Sequence, residues 1–368
     1  MADPAPYTFI DTAATLAEYA PELAAADPIA LDTEFLRERT YYPKLCLLQF
    51  ATASGIALVD TIALETLGPI MDLLYADQRV KVLHSGSQDL ELFVHMRGAT
   101  PSSLFDTQIA AAYLGYPDQI GYAGLVEKVL GVTLDKSHTR SDWSRRPLSA
   151  AQLGYAVDDV RYLLVMYPLL YQGLEQAGRL TWALEDMVRL EDPERYRVSP
   201  ALAWMKIKGG QRLSGRAFTA LQHLAAWREE EAQRRDLPRG WVVPNDTLLV
   251  LAEQRPASPA ALAALEGQGT TVPKTFAEPV LTAIAAAGQD PGDAQAGDGP
   301  LTDVQKGLLK TLGAHVTRRA GELGLSTALM ATRAELEAIV RGGHDARVLT
   351  GWRREAVGRE LLTLRDAG

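Results

Sequence analysis

Cysteine is almost absent: Cys46 is the only one in 368 residues, which excludes an intrachain disulfide and any zinc site built from clustered thiolates. Long apolar runs are missing too, since every hydrophobic stretch breaks well short of the roughly 20 residues that a membrane-spanning helix needs. No membrane association is expected. The opening residues, MADPAPYTFIDTAA, carry acids where a secretory signal would place a basic region and then an apolar one. A cytoplasmic protein is the expectation. Positive charge is scarce as well: 37 Lys and Arg face 46 Asp and Glu, a net charge of −9, which at first argues against a nucleic-acid partner, since phosphate binding wants Lys and Arg. The deficit is local, because residues 1–200 hold 16 basic against 27 acidic side chains and residues 201–368 hold 21 against 19. No G-x-x-x-x-G-K-[ST] loop occurs, so a P-loop helicase is excluded.

The remaining composition, 47% hydrophobic and 23% charged, is that of a globular chain long enough for two or three domains. Three extended runs, residues 29–35, 44–51 and 56–60, follow one another through short connections and predict an antiparallel meander. Residues 80–85 predict a fourth strand, and apolar residues at helical spacing then take over in SQDLELFVHM, DTQIAAAYLG and GYAGLVEKVLG. A long helix is predicted from about Ser149. A mixed sheet covered by helices is the expected class for this half. Beyond about residue 205 the β signal ends, and RAFTALQHLAAWREEEAQRRD, DTLLVLAEQ and PAALAALEG predict a small all-α bundle. A stretch rich in Gly, Asp and Pro, residues 286–300, reads as a linker to a second helical bundle.

Within ALDTEFLRERTYYPKLCLLQFA, Asp32 and Glu34 stand two residues apart on a strand, so their side chains share a face and repel. Either they mark a strand end with one acid capping a turn, or they hold a divalent cation that removes the repulsion. Two further acids sit at special positions. Asp89 lies where the fourth strand passes into a helix, and Asp159 lies on the long helix four residues after Tyr155, although Tyr155 could equally face Asp158 at a spacing of three. Four carboxylates converging at a sheet edge would bind two Mg²⁺ or Mn²⁺ ions, hard cations that take oxygen ligands. Such a pair serves in-line displacement at phosphorus.

The segments DTEFLRERTYYPKLCLLQ, LHSGSQDLELF and SDWSRRPLSAAQLGYAVDDVRYLL resemble the three motifs of the DEDD-superfamily exonucleases in their tyrosine-bearing branch, and within it the ribonuclease D family. The helical regions are similar to that family's tandem HRDC modules, most clearly in LAAWREEEAQRRDLPRGWVVPNDTLLVLAEQRP. The resemblance implies an RNase-H-like mixed sheet flanked by helices over residues 1–200, a first HRDC-like domain at 205–288, a linker at 289–300 and a second HRDC-like domain at 301–368. It also implies a metal-dependent 3′→5′ exoribonuclease that trims RNA with a single-stranded 3′ end, transfer-RNA precursors among them, and releases nucleoside 5′-monophosphates.

Carried over by position, Asp32, Glu34, Asp89 and Asp159 become the ligands of two divalent metal ions and Tyr155 the residue that orients the attacking water. A phenol with a pKa of roughly 10 suits orientation better than proton abstraction. Five more residues are candidates for substrate contact: His84 for the terminal nucleotide, Phe35 and Tyr41 for base stacking, and Arg145 and Arg146 for phosphate. Tyr42 is a further candidate for stacking, and Lys136 and Arg140 for phosphate. Two rival readings use the same residues: a DNA 3′→5′ exonuclease of proofreading type, and an RNA-binding protein with a decayed nuclease fold. The second is disfavoured because all four acids and the tyrosine are present.

Overall fold

The structure, a computed structural model, describes residues 6–76, 79–134, 141–266, 270–290 and 299–367. Lys136, Arg140 and most of the expected linker lie outside the described residues. Two compact units are present, one formed by residues 1–36, 45–193 and 301–368, the other by 37–44 and 194–300.

The first unit is built on a six-stranded sheet of β1 (Tyr7–Ile10), β2 (Ile29–Leu36), β3 (Lys44–Thr52), β4 (Gly55–Asp60), β5 (Lys81–Leu83) and β6 (Leu104–Asp106), in the order β1-β4-β3-β2-β5-β6. The strand β3, KLCLLQFAT, is buried from its second residue onward, as a strand covered on both faces must be. It runs antiparallel to β4, whereas β1 is parallel to β4 and β5 is parallel to both β2 and β6. The sheet is therefore mixed, as expected. Helices α1 (Ala13–Ala25), α2 (Gly68–Leu74), α3 (Ser87–Arg97), α4 (Thr107–Tyr113), α5 (Tyr122–Leu130), α6 (Ala150–Gln176) and α7 (Leu180–Val188) accompany it. Sequence periodicity misses β1 and β6, which are four and three residues long. It also misses α1, whose interior proline, Pro21, reads as a helix breaker.

The second unit is helical, with α8 (Gly215–Arg235), α9 (Arg239–Val242), α10 (Asn245–Gln254), α11 (Pro259–Glu266) and α12 (Ala277–Gln289) around a core that includes Leu221, Leu224, Leu248, Leu251 and Val280. The connection between β2 and β3 belongs to this unit, and its Tyr41 joins the same core at 6% exposure. The Tyr41 hydroxyl donates to Glu229, which is itself forked by Arg239 at 2.6 and 2.7 Å. Arg239 also lies 4.6 Å over the Tyr41 ring. Tyr41 is thus a core residue and offers no face to a base, which corrects the stacking role expected for it. Tyr42 packs against the same core.

Residues 301–367 are helical, including α13 (Asp303–Leu323), α14 (Thr327–Met330) and α15 (Arg333–Val340), and lie in the same unit as the sheet. Leu312, Val316, Ile339, Val357 and Leu361 share one apolar cluster with Val160, Leu163, Met166 and Ala183. At its margin the guanidinium of Arg353, fully buried, forks the carboxylate of Asp186 at 2.7 and 2.5 Å, and the Tyr113 hydroxyl donates to Asp186 at 2.7 Å. Trp352 stacks on Trp182 with ring centroids 4.6 Å apart. Among the described residues no helix is long and apolar enough to cross a membrane.

Candidate active site

The strand β2 delivers Asp32 and Glu34 on one face, and its parallel neighbour β5 brings the turn into α3 to the same edge of the sheet. In that turn Ser85 adopts a φ of 56°, a left-handed conformation uncommon for a residue with a side chain. Asp106 holds it: its carboxylate accepts from the backbone N–H of Ser85 at 3.2 Å and of Gly86 at 3.0 Å while also capping α4 through Gln108 and Ile109. Asp89 then falls in the first turn of α3. The sequence reading missed Asp106, although an Asp-Thr pair ahead of a helical run is a capping signal.

The helix α6 supplies the third element. Ser149 and Gln152 form a reciprocal capping box at its start, which fixes the helical phase of Tyr155 and Asp159. The Tyr155 hydroxyl hydrogen-bonds the Asp159 carboxylate. Asp158 is turned toward Arg161, 3.8 Å away. Of the two acids Tyr155 could face, it bonds Asp159.

One carboxylate oxygen from each of Asp32, Glu34 and Asp159 lies within 4.8 Å of the others. Asp89 stands beside this trio under different control, accepting from both the hydroxyl and the backbone N–H of Thr33. The electrostatic result is severe. Burial first, then the negative charges of Asp89, Asp159 and Glu34, push Asp32 well above the usual carboxylate range. Burial followed by Asp159 and Asp89 raises Glu34 to about 9. Asp159 is pushed by burial to about 7 against the opposing Tyr155 hydrogen bond, and Asp89 by burial to about 6 against its bonds from Thr33. Oxygen donors alone, packed closely enough to repel, are a set suited to a hard divalent cation. The residues therefore fit Mg²⁺ or Mn²⁺.

The substrate-contact candidates fare unevenly. His84 is engaged at both ring nitrogens, with Nδ1 2.9 Å from the Thr107 hydroxyl and Nε2 3.0 Å from the Ile120 carbonyl oxygen. It serves the β5 end of the sheet, and the nucleotide contact expected of it has no free nitrogen to use. Arg146 is likewise committed to protein acceptors, forking Asp60 at 2.5 and 2.7 Å and spending its other donors on backbone carbonyls, which corrects the phosphate role expected for it. Arg145, its neighbour, has a side chain 84% exposed with one partner, Asp142, at 3.0 Å. Phe35 remains partly accessible on β2. Tyr122 was not anticipated. Its hydroxyl donates to the Asp158 carbonyl oxygen of α6 at 2.7 Å, and burial first, with Asp159 next, raises its pKa well above the ordinary value.

Known proteins resemble this chain over most of its length. The 3′-5′ exonuclease family matches residues 7–175 and the HRDC domain matches residues 217–284. Ribonuclease D of Gluconacetobacter diazotrophicus is 39% identical over 92% of this chain and 87% of its own length, and that of Zymomonas mobilis 38% identical over 97% and 94%. Among solved structures, RNase D of Escherichia coli, described as an exoribonuclease involved in structured RNA processing, is similar at a TM-score of 0.87 and 32% identity, covering 98% of this chain and 99% of that one.

Proposed function

The chain belongs to the ribonuclease D family and is a 3′→5′ exoribonuclease, and from that premise we propose that it trims single-stranded 3′ ends of structured RNAs, transfer-RNA precursors among them, one nucleoside 5′-monophosphate at a time. The observation that carries this reading is the convergence of the Asp32, Glu34 and Asp159 carboxylates, with the Tyr155 hydroxyl bonded to Asp159. In it Asp32, Glu34, Asp89 and Asp159 hold two divalent cations, Mg²⁺ or Mn²⁺. Bound there, the cations supply charge stabilisation to the attacking and leaving oxygens of an in-line displacement.

Tyr155 performs the orienting step. Because its proton is directed at Asp159, the phenol oxygen is left to accept from the attacking water, which aims a water lone pair at phosphorus. Asp89, braced by Thr33, keeps its position as charge shifts. A P–O bond forms from the water, the bond to the 3′ oxygen of the penultimate nucleotide breaks, and that oxygen leaves with a proton as the new 3′ hydroxyl. Arg145, exposed and paired with Asp142, takes a backbone phosphate, and Phe35, partly accessible near the end of β2, is the stacking candidate for the terminal base. Residues 1–200 carry the chemistry in this reading, with HRDC-like modules at 205–288 and 301–368, separated by a linker at 289–300, engaging the RNA body.

A 3′-tailed RNA hairpin and a matched DNA-tailed hairpin, each incubated with Mg²⁺ or Mn²⁺ and with EDTA, test the reading when products are resolved to single nucleotides. The RNA tail should shorten one nucleotide at a time to the duplex edge, with 5′-monophosphates released and EDTA abolishing the reaction. Faster shortening of the DNA tail would point to a DNA exonuclease instead.

A further inference from the structure

A guanidinium has five N–H donors, and Arg146 has all five engaged. Nε meets Asp60 Oδ2 at 2.5 Å, and Nη2 meets Asp60 Oδ1 at 2.7 Å and the Cys46 carbonyl oxygen at 2.8 Å. Nη1 meets the carbonyl oxygens of Trp143 and Arg145 at 2.7 and 2.8 Å. Nothing is left for a phosphate. Asp60, 3% exposed at the end of β4, also accepts from the backbone N–H of Ile62 at 3.0 Å and of Ala63 at 3.1 Å.

Three of the bonds tie the run leading into α6 to β3 and β4, and the other two fold that run onto the same guanidinium. In that run Trp143 is buried in a cluster with Cys46, Leu47, Leu58, Leu148, Ala156 and Val157, and its ring centroid lies 6.0 Å from that of Tyr155. The Trp143 carbonyl is one of the acceptors that Arg146 holds. A chain of direct contacts thus runs from Asp60 through Arg146 and Trp143 to the tyrosine whose hydroxyl meets Asp159.

We propose that the Arg146–Asp60 pair is a positioning device for the Tyr155 phenol: the planar fork fixes Trp143, and the Trp143 ring sets where the Tyr155 ring sits. The inference rests on the reading of Tyr155 as the residue that orients water. A lysine could not substitute, because a single ammonium lacks the fork that sets direction as well as distance. The competing roles for a half-buried arginine at this edge are phosphate binding and plain support of the core.

Four full-length variants separate these roles: Tyr155→Phe, Arg146→Lys, the double variant of these two, and Asp60→Asn. Each is assayed on a short single-stranded RNA for kcat, for KM at several salt concentrations, and for Tm. Tyr155→Phe should lower kcat on the order of 100-fold, and Arg146→Lys about tenfold through misplacement of the phenol, with KM and its salt dependence unchanged. The double variant should be no slower than Tyr155→Phe alone, since the pair acts only through the hydroxyl already removed. Asp60→Asn keeps the backbone acceptor and should repeat the Arg146→Lys pattern even if Arg146→Lys folds poorly. Losses that multiply in the double variant would overturn the proposal, as would a lower Tm with kcat intact. A raised KM with a shallower salt slope would make Arg146 a phosphate ligand and overturn it too. Full turnover in Tyr155→Phe would remove the site reading itself, and the proposal with it.

Discussion

Glu34 binds its proton more tightly in the folded protein than in the unfolded chain, with a pKa raised from 4.5 to about 9. Asp32 and Asp159 are raised with it. The stability this confers is full below about pH 4.5 and is lost as pH rises through about 9. The metal-free protein is therefore expected to melt at progressively lower temperature as pH rises across this window, and divalent metal should reverse the trend while releasing protons. Asp32→Asn should flatten the profile, raise the metal-free Tm at alkaline pH and abolish hydrolysis. Thermal melts in EDTA across the pH range, with and without the substitution, check this; parallel profiles for the two proteins would count against it. At this scale the acids were legible, because spacings of two on a strand and four on a helix dictate shared faces. Partner saturation was not. Arg145 and Arg146 are neighbours in one dipeptide, yet one is exposed and the other has spent all five donors, and only the folded chain shows which acceptors come within reach.

Among the elements, α6 matters most, since one rigid rod carries both Tyr155 and Asp159. Its capping box starts six residues before Tyr155 and ends three before it, less than one turn away. Ser149→Ala should cost about 1 kcal/mol of stability and should lower kcat by loosening the turn ahead of the phenol. Hydrogen exchange at the Gln152 and Leu153 amides, both bonded to Ser149 in the native protein, should accelerate; unchanged exchange would show that packing alone holds the helix start. The long helix was readable from its cap and periodicity. The strands β1 and β6 were not, because three or four residues cannot display an alternation and their identity comes from pairing with β4 and β5. Parallel partners far apart in sequence leave no local mark.

For the whole molecule, the arrangement of residues 301–367 is decisive. Arg353 is fully buried on Asp186, so Arg353→Met strips that half-buried carboxylate of its fork, leaving it the Tyr113 hydroxyl and the more distant Arg189, and should cost roughly 3 kcal/mol. Replacing both partners together, Arg353→Met with Asp186→Leu, should recover most of the loss, which paired thermal melts will show. A chain cut near residue 200 removes Arg353, Trp352 and the apolar residues that complete the core around Met166 and Ala183, and it should fold poorly on that account. The sequence showed two helical regions after residue 205 but not that residues 301–367 share a core with the sheet, because an amphipathic helix records that it has a buried face and not what covers it.

The interleaving of the two units has a consequence for birth on the ribosome. Residues 37–44 and 194–300 are all made before residue 301, whereas the unit carrying the sheet needs side chains as late as Leu361. Translation order and folding order therefore diverge: the helical unit can close while the nuclease is still waiting for its last core residues. A nascent chain stalled just after residue 300 emerges should protect its helical unit from protease and leave the sheet open to cleavage. RNA hydrolysis should begin only once the remainder has been released, so that the enzyme is held inactive for the length of its own synthesis.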